Sequence, residues 1–512
     1  MDITIGFSGP AGTGVNTAGL FLAELLAKKG YTLRADKEYA SIIKGDNNCF
    51  FVSLSDHKEV GLSQKIDLFF VFDPFSVEKN KELYQLENII DLTSVPAKHK
   101  NTFAFGACLR IVNIPLSEGE EILRNNLKEK GLEENLADLH SGYTLGQEHY
   151  ASLHSLVNLS ETKGTPKKLM MGNQLIGEGA IKAGLQFYSA YPMTPVTSLI
   201  DTIVEHPEVT FFQGEDEIAV AMTMLGAKYA GKRAMCATSG GGFALMTESI
   251  AFAHQAEIGG VYILGMRDGP STGTPTYTSQ GDLSFAIHSS FGETSPIVIA
   301  PSTFEEAYSM MSQVFNWADR YQHPVLFLVD KQLCEGYKSV NEEDLMTLPI
   351  DRGEVVGSGE GDTYLRYKLT ESGISPCAIP GQETTLFMAT SYEHDEAGAS
   401  NEHPNTKAQQ MQKRFKKMQT FSAKEFLHEG LAYEIINPQA EKFFITRGIN
   451  RYTLSSLIKD KPEWGLIVIK VFHPFDDKLA AFFKAHQEQI KKLTFVEMNY
   501  EGQMERIVRN AC

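Results

Sequence analysis

The sequence predicts an α/β protein built from three doubly wound domains. Three observations support this: the length of the chain, the alternation of short apolar runs with amphipathic stretches, and the Gly- and Pro-rich islands between them. At 512 residues the chain is too long for one hydrophobic core. Strands that alternate with helices at this spacing form parallel sheets, with the working residues on the connecting loops.

The first domain is predicted at residues 1–160, and the polar, breaker-rich stretch 158–168 ends it. Its opening strand is followed by Gly-Pro-Ala-Gly-Thr-Gly-Val at 9–15 and then by an amphipathic helix. Such a turn either contacts a phosphate or carboxylate group through freed N–H groups or only connects two elements tightly, and we leave both interpretations open. Its spacing matches neither a Walker A loop nor GxGxxG. The predicted strands are 2–8, 49–55 and 67–72, and the predicted helices are 16–29, 117–130 and 145–159.

The second domain is predicted at residues 169–345, opening with the stretch 169–173. Its helices are expected at 174–183, 217–230, 242–255 and 304–321, and its strands at 234–239, 261–264, 296–300 and 324–329. Residues 346–382 predict an irregular connecting segment that packs on the surface. Residues 383–512 predict the third domain, with strands at 387–390, 441–446, 464–471 and 493–496 and a basic helix at 408–419.

Composition excludes several classes of function. The net charge of −17 argues against nucleic acid and anionic membrane as main partners. No run of about 18 apolar residues occurs, so no spanning helix is predicted. None of the six cysteines belongs to a CxxC pair, so we expect no zinc or iron–sulfur framework on this chain. Scattered cysteines indicate a reducing compartment, and we expect a cytoplasmic protein.

Four islands in the second domain have unusual local chemistry, and each is predicted to be a turn or the end of an element. Pro and Gly fix or free the backbone there, while hydroxyls, one arginine and acidic groups supply polar contacts. The islands are Tyr191–Pro195, Gln213–Ala219, Ala237–Phe243 and Arg267–Thr276.

In this order and spacing, the islands resemble those of the α subunits of 2-oxoacid:ferredoxin (acceptor) oxidoreductases, in the form with a γ domain fused at the N-terminus. The resemblance covers nearly the whole chain. It implies a γ domain, a pyrimidine-type thiamine diphosphate (ThDP) domain and a transketolase C-terminal-like domain, in that order. It also implies oxidative decarboxylation of a 2-oxoacid to acyl-CoA and CO₂, with the electrons passed to ferredoxin.

The acidic run before the small-residue helix contains two candidates for one role, Glu215 and Glu217. By resemblance, a glutamate here hydrogen-bonds the aminopyrimidine ring and favours its imino tautomer. A carboxylate among apolar residues suits proton sharing, because burial disfavours its charged form. The spacing to Gly226-Ala227 favours Glu217, with Glu215 as the alternative. Read alone, the run would only be an acidic helix start that suits the helix dipole.

The remaining site residues also follow from the resemblance. Thr194, in Tyr-Pro-Met-Thr-Pro, is expected near cofactor and substrate, and Arg267 is expected to hold the substrate carboxylate with help from Thr276. The other residues predicted to line the cofactor pocket are Pro192, Thr238, Ser239 and Gly240. Read separately, these motifs are rigid turns and a surface ion pair.

The sequence departs from the family pattern at four positions, namely Lys44, Gly241, Asp268 and Tyr277. The last two bear on which 2-oxoacid fits. We expect 2-oxoglutarate, with pyruvate, a branched-chain 2-oxoacid or indolepyruvate as alternatives. A scaffold subunit that has lost the chemistry is a further alternative.

The chain lacks the Gly-Asp-Gly…Asn pattern that holds magnesium and diphosphate. The resemblance therefore implies a β subunit that carries the Mg²⁺ site and a [4Fe-4S] cluster, in an αβ or (αβ)₂ assembly. Ferredoxin, CoA and a 2-oxoacid are its expected partners, and no metal site is predicted on this chain. The spacing around His394 matches no ligand set, and the run Lys413–Lys417 predicts a solvated helix face.

Overall fold

The computed structural model describes residues 2–40, 47–61, 63–127, 129, 131–356, 364–381 and 387–512. It divides into two compact units, one of residues 1–172 with 335–345 and one of residues 173–334 with 346–512. The α/β class predicted from sequence is confirmed. The departure at Lys44 and the glycine-rich stretch 357–362 lie outside the described residues.

The first unit contains one mixed seven-stranded sheet. Strand β1 runs parallel to β4, and β4 to β5, whereas β3 is antiparallel to both β1 and β2. The order across the sheet is β5-β4-β1-β3-β2-β14-β6. The strands are β1 (Asp2–Pro10), β2 (Leu33–Glu38), β3 (Asn47–Ser55), β4 (Lys65–Val71), β5 (Gln85–Asp91), β6 (Lys168–Met171) and β14 (Tyr337–Val340).

Five helices accompany this sheet, and a cluster of buried apolar residues joins α1 and α3 to the strands. The helices are α1 (Val15–Lys28), α2 (Phe75–Asn80), α3 (Lys100–Ile111), α4 (Leu116–Asn126) and α5 (Leu132–His149). The helix predicted at 145–159 is wrong in position, because α5 ends at His149 and a short 3₁₀ turn follows. The glycine turn at 9–15 connects β1 to α1, with Gly12 and Gly14 at positive φ.

Residues 168–171, at the predicted start of the second domain, form β6 of the first sheet. β6 pairs antiparallel with β14, which returns from far along the chain. A four-residue strand has no sequence signal that identifies its partner, so this pairing could not be read from local pattern.

The second unit is built on a sheet whose six central strands are parallel. Their order is β12-β13-β10-β9-β7-β8, with β18 antiparallel at one edge and β11 paired to β10. The strands are β7 (Phe187–Ala190), β8 (Thr210–Gln213), β9 (Ala234–Ser239), β10 (Val261–Asp268), β11 (Thr274–Thr278), β12 (Ile297–Ile299), β13 (Val325–Asp330) and β18 (Val471–His473). The parallel sheet predicted from sequence is confirmed.

Eight helices connect these strands. They are α6 (Gly172–Lys182), α7 (Thr197–Val204), α8 (Glu217–Tyr229), α9 (Gly240–Phe243), α10 (Thr247–Gln255), α11 (Leu283–Ile287), α12 (Phe304–Tyr321) and α13 (Lys331–Glu335). The helix predicted at 242–255 is divided, since a 3₁₀ turn separates α9 from α10. Helix α12 begins where the Thr303 hydroxyl accepts a hydrogen bond from the Glu306 N–H, which satisfies one donor of its first turn.

A separate four-stranded sheet follows, in the order β15-β17-β16-β19. Its strands are β15 (Tyr433–Ile436), β16 (Lys442–Thr446), β17 (Trp464–Ile469) and β19 (Lys492–Val496), and the helices of this region are α14 (Pro404–Glu425), α15 (Asn450–Ile458), α16 (Lys478–Ala485) and α17 (Gln503–Ala511). Residues 387–390 form no strand, so that prediction is wrong.

Two further predictions about exposure are wrong. Arg366 and Tyr367 in the connecting segment are buried, so this segment does not simply lie on the surface. Helix α14 is not a solvated basic face, because Lys413, Arg414 and Lys417 are buried in ion pairs. The acidic partners lie far away in sequence, which is why local charge pattern could not indicate burial.

Candidate active site

The four islands meet at one edge of the parallel sheet. Tyr191–Pro195 follows β7, Glu217 follows β8, Thr238 and Ser239 end β9, and Arg267 lies near the end of β10. Parallel strands bring their carboxyl ends to the same side, where α/β proteins place their ligands. The contacts described below join all four islands into one site.

Glu217 occupies the first turn of α8 and is buried, with 5% of its surface exposed. The helix begins there because the Asp216 side chain accepts a hydrogen bond from the Ala219 N–H at 2.8 Å. Glu215, the alternative, is exposed. Of the two candidate carboxylates, Glu215 and Glu217, only Glu217 is enclosed by the protein.

The Glu217 carboxylate lies against the turn formed by α9. A Cβ atom added to Gly242 would overlap both the Thr238 hydroxyl and the Glu217 Oε1 atom. This Oε1 atom is buried and has no hydrogen-bond partner among the described residues, and the same holds for Ser239 Oγ. Leaving such atoms unpaired costs about 1–3 kcal/mol each, so they indicate a ligand or ordered water.

The Tyr191–Pro195 loop connects the Glu217 side of the site to the Arg267 side. Met193 lies beside Thr238, whose hydroxyl is 3.7 Å from the methionine sulfur. The Thr194 carbonyl accepts a hydrogen bond from Arg267 Nη1 at 3.0 Å. Pro195 packs on β10, where a Cβ atom at Gly265 would approach its ring to 2.8 Å. The loop is therefore fixed on the sheet, while Pro192 is exposed at its rim.

Arg267 and Thr276 lie on adjacent strands, because β11 folds back antiparallel on β10 and pairs Thr278 with Arg267. Both side chains are half-buried, so a small acid can reach them. The two departures differ in environment. Asp268 accepts a hydrogen bond from the Thr274 hydroxyl within the hairpin, whereas Tyr277 is 62% exposed.

Asp282 is a site residue for which sequence reasoning assigned no role. A Cβ atom on Gly240 would lie 2.8 Å from its Oδ2 atom and 3.1 Å from Oδ1, so its carboxyl group packs against the start of α9. Burial raises the pKa of Asp282, against the opposing effect of Arg447 and Arg267. In sequence, an aspartate before an apolar stretch indicates only a helix cap, yet its side chain makes no capping bond.

The turn after the Arg267–Thr276 island is held by the C-terminal part of the chain. Gln280 exchanges backbone and side-chain hydrogen bonds with Met498, at 2.7 and 3.1 Å. Its amide also donates to Asp330 and to the Arg447 carbonyl, both at 3.1 Å. Arg447 in turn donates to the Gln280 carbonyl at 2.7 Å. The segments that follow β16 and β19 therefore hold the turn that precedes Asp282 through hydrogen bonds to Gln280.

No cluster of potential metal ligands is found in the part of the chain that the structure describes. The nitrogens of His394 lie 3.2 and 3.3 Å from the carbonyl oxygens of Asp395 and Gln255. None of the described helices combines the length and apolar character needed to cross a bilayer.

The sequence matches two protein-family models. Residues 178–413 match a model described as pyruvate flavodoxin/ferredoxin oxidoreductase, thiamine diphosphate-binding. Residues 4–91 match one described as pyruvate ferredoxin/flavodoxin oxidoreductase.

Relatives and a solved structure cover the chain more fully. The α subunit of a 2-oxoacid:ferredoxin oxidoreductase from Sulfolobus is 28% identical over 99% of this chain and 92% of that relative. A 2-oxoglutarate synthase subunit from Methanocaldococcus jannaschii is 31% identical over 67% of this chain and 92% of its own length. The solved 2-oxoglutarate:ferredoxin oxidoreductase from Magnetococcus marinus, with 2-oxoglutarate, coenzyme A and succinyl-CoA bound, matches with a TM-score of 0.86. Its identity is 29%, over 100% of this chain and 94% of that chain.

Proposed function

The chain belongs to the α subunits of the 2-oxoacid:ferredoxin oxidoreductases. We propose that it supplies the half of a ThDP site that binds the pyrimidine ring, together with the residues that bind the substrate carboxylate. The observation that supports this most strongly is the buried, unpartnered Oε1 atom of Glu217 beside Gly242. A ring nitrogen that carries or shares a proton would satisfy this acceptor. The unpartnered Ser239 hydroxyl supplies a second polar contact on the same side.

When bound, ThDP supplies the carbon nucleophile and the electron sink of the reaction. The roles of this chain are binding, orientation and proton placement. Glu217 Oε1 would hold a proton at the aminopyrimidine ring of the cofactor. Arg267 directs its guanidinium towards the substrate carboxylate, and its bond to the Thr194 carbonyl fixes the direction of the arginine. Thr194 provides a hydroxyl near cofactor and substrate, and Thr276 assists Arg267 at the substrate carboxylate, while Pro192 lies at the rim.

We propose 2-oxoglutarate as the preferred substrate. The Methanocaldococcus relative is named a 2-oxoglutarate synthase subunit, and the Magnetococcus protein was solved with 2-oxoglutarate bound. Pyruvate, branched-chain 2-oxoacids and indolepyruvate are the competing substrates, and Tyr277 lies where it can affect the choice. The acyl acceptor would be CoA and the electron acceptor ferredoxin, in the cytoplasm, in keeping with six free cysteines.

The remaining parts of the enzyme are proposed to come from a β subunit that carries the Mg²⁺–diphosphate site and the [4Fe-4S] cluster. An exposed apolar surface beside the site supports this partner, since such surfaces mark protein contacts. Its side chains come from α8, from β8 and β11, and from the 3₁₀ turn between α9 and α10, and they are Phe212, Ile218, Met222, Leu245 and Tyr277. We define these five residues as the partner face.

The test combines purified chain, β subunit, CoA and a viologen acceptor with a panel of 2-oxoacids. Glu217→Gln should reduce turnover at least a hundredfold, because a general acid–base group contributes about 10²–10⁴-fold. Glu215→Gln is the matched control, two residues away and exposed, and should leave turnover unchanged. Loss of activity in the control alone would transfer the role to Glu215. Absence of viologen reduction with every 2-oxoacid would favour the scaffold alternative.

The partner face is tested separately by Met222→Glu in a co-elution experiment with the β subunit. We expect complex formation to be lost while the variant chain keeps its unfolding midpoint, because Met222 is 42% exposed. An unchanged complex would remove this face as the contact.

A further inference from the structure

A small cavity lies at the amino ends of β9 and β10, at the opposite end of the sheet from the candidate active site. Its volume is about 50 Å³. It lies between the C-terminal ends of α8 and α12 and the connecting segment that includes residues 352 and 366. The charged and amide side chains that line it are Lys228, Glu257, Asp319, Gln322, Arg352 and Arg366.

One wall of the cavity holds three cations around a single carboxylate. Asp319 accepts from Arg233 at 2.8 Å, lies 2.9 Å from Arg352 Nε and contacts the Lys228 ammonium. The Asp319 side chain is 2% exposed and that of Arg233 1%, whereas those of Lys228 and Arg352 are 12% and 33% exposed, so water screens the Arg352 charge more than the others. One negative charge therefore faces three positive charges on this side.

The opposite wall repeats the arrangement. Glu257 accepts from Lys413 at 2.6 and 2.7 Å and contacts Lys417, and all three side chains are buried. Arg366 adds a third cation, but its hydrogen bonds go to neutral acceptors, the Gln322 amide at 3.1 Å and the Glu257 carbonyl at 2.6 Å. Again one carboxylate faces three cations.

Neighbouring groups offset part of this charge. Arg320 forms ion pairs with both Asp351 and Glu425, so these three side chains together contribute a net charge of −1. Three cations also donate to carbonyls at helix ends, namely those of Ala183, Gly231 and Glu257. A helix C-terminus carries about half a negative charge, so the three together offset roughly 1.5 charges. Among the described residues, between one and two positive charges are left without compensation, and the cations counted are buried or nearly buried except for Arg352 and Arg320, which are about one-third exposed.

Uncompensated buried charge is expensive and is normally paired or neutralised. We propose that this cavity binds a small inorganic anion, chloride or a small oxyanion such as phosphate. A single water needs about 10–15 Å³ of such space, so 50 Å³ accommodates an ion of this size and excludes a metabolite. By interacting with side chains at this cavity, the anion would hold α8, α12, α14 and the connecting segment together.

The lysines at the cavity support this assignment. Burial and the neighbouring Arg352 lower the pKa of Lys228 to about 7, and burial lowers the pKa of Lys417 to about 7 as well. Without an anion, both ammonium groups would lose part of their charge near neutral pH. A bound anion opposes that loss, because an opposite charge favours the charged form.

The first experiment measures thermal unfolding of the full chain at constant ionic strength in sodium gluconate, chloride and phosphate. We expect the midpoint to rise with chloride or phosphate and to saturate, whereas the bulky gluconate ion has no effect. The comparison of chloride with phosphate identifies which ion binds. Arg352→Gln and Arg366→Gln should each abolish the saturable rise, while Lys416→Gln, exposed on the same helix as Lys413, should retain it. Equal midpoints in all three salts would overturn the proposal.

The second experiment does not depend on the stability of any variant. Crystals of the wild-type protein soaked in bromide should give an anomalous peak inside the cavity, within contact of Arg352 and Arg366. Peaks only at exposed lysines would indicate an adventitious ion only, and would overturn the proposal. A carboxylate of the chain itself found in the cavity would do the same.

Discussion

Gly242→Ala is the sharpest test of how the Glu217 carboxylate is placed. The substitution adds one methyl group where the wild-type chain leaves space for two oxygens. The added Cβ would overlap Thr238 Oγ1 and Glu217 Oε1. Gly242 is not among the positive-φ residues, so the backbone itself tolerates alanine and the effect reports on the overlap alone.

The magnitude follows from the overlap. To restore ordinary van der Waals separation, each oxygen must move by about 1 Å. Neither has room, because Thr238 and Glu217 are 1% and 5% exposed. Overpacking of this kind costs about 1–3 kcal/mol of folding free energy. A displacement of about 1 Å at a catalytic group reduces turnover about a hundredfold.

The assay measures viologen reduction by the reconstituted α–β enzyme under saturating 2-oxoacid and CoA, together with a urea unfolding curve. Gly241→Ala is the matched control, since it lies in the same turn, is exposed and has no heavy atom within 4 Å of its added Cβ. We expect the control to change stability by less than about 0.5 kcal/mol and to keep its turnover. If Gly242→Ala behaves like Gly241→Ala, the Glu217 carboxylate does not occupy the position described, and the proposed proton role fails with it.

Three further predictions concern charged side chains. Because burial raises the pKa of Asp282, its contribution to stability is complete below about pH 3.9 and declines as the pH rises through the folded-state pKa. The free energy of unfolding of Asp282→Asn, measured in urea, should therefore equal that of wild type in acid and exceed it at neutral pH. The same pH dependence of this free energy in both proteins would refute the prediction. Glu257→Ala leaves Lys413 and Lys417 uncompensated and should cost about 3–5 kcal/mol. Glu441→Ala removes one partner of an exposed pair and should leave the unfolding midpoint near that of wild type; similar unfolding midpoints for the two variants would contradict the prediction. Arg267→Lys should raise KM for the 2-oxoacid about tenfold or more, because lysine lacks the bidentate fork; an unchanged KM would place the carboxylate elsewhere.

The sequence predicted the parts of the fold that depend on local pattern. Helices α8 and α12 have strong caps and apolar faces, and the parallel strands from β7 to β13 are short apolar runs between breakers. These features are set within a dozen residues, so they can be read without knowing the partner. The residues predicted for the Tyr191–Pro195 loop, Glu217, Thr238 and Arg267 lie together for a related reason, since each follows or ends one of these strands.

The incorrect predictions fall where contacts between residues distant in sequence determine the structure. Lys413 and Lys417 form a basic run in sequence, yet Glu257, about 150 residues earlier, buries them. Strand β6 joins the first sheet because β14 returns to pair with it. The Asp282 carboxyl group can pack against the start of α9 because Gly240 has no side chain to exclude it. No local property of these segments indicates the partner, so pattern analysis could not have found them.

The turn at Gln280 links the C-terminal sheet to the wall of the candidate active site that carries Asp282. Gln280 is fully buried, and its side-chain bonds go to Asp330, Arg447 and Met498, three segments that are distant in sequence. Gly448, at φ +60°, lies so close to Asp330 that a Cβ would overlap its carboxylate. The wall that carries Asp282 is therefore positioned by packing between two sheets, whereas the wall that carries Arg267 is part of a strand. A change in the C-terminal sheet should therefore displace Asp282 first, and should reach Arg267 only through the contact of Arg447 with Met266.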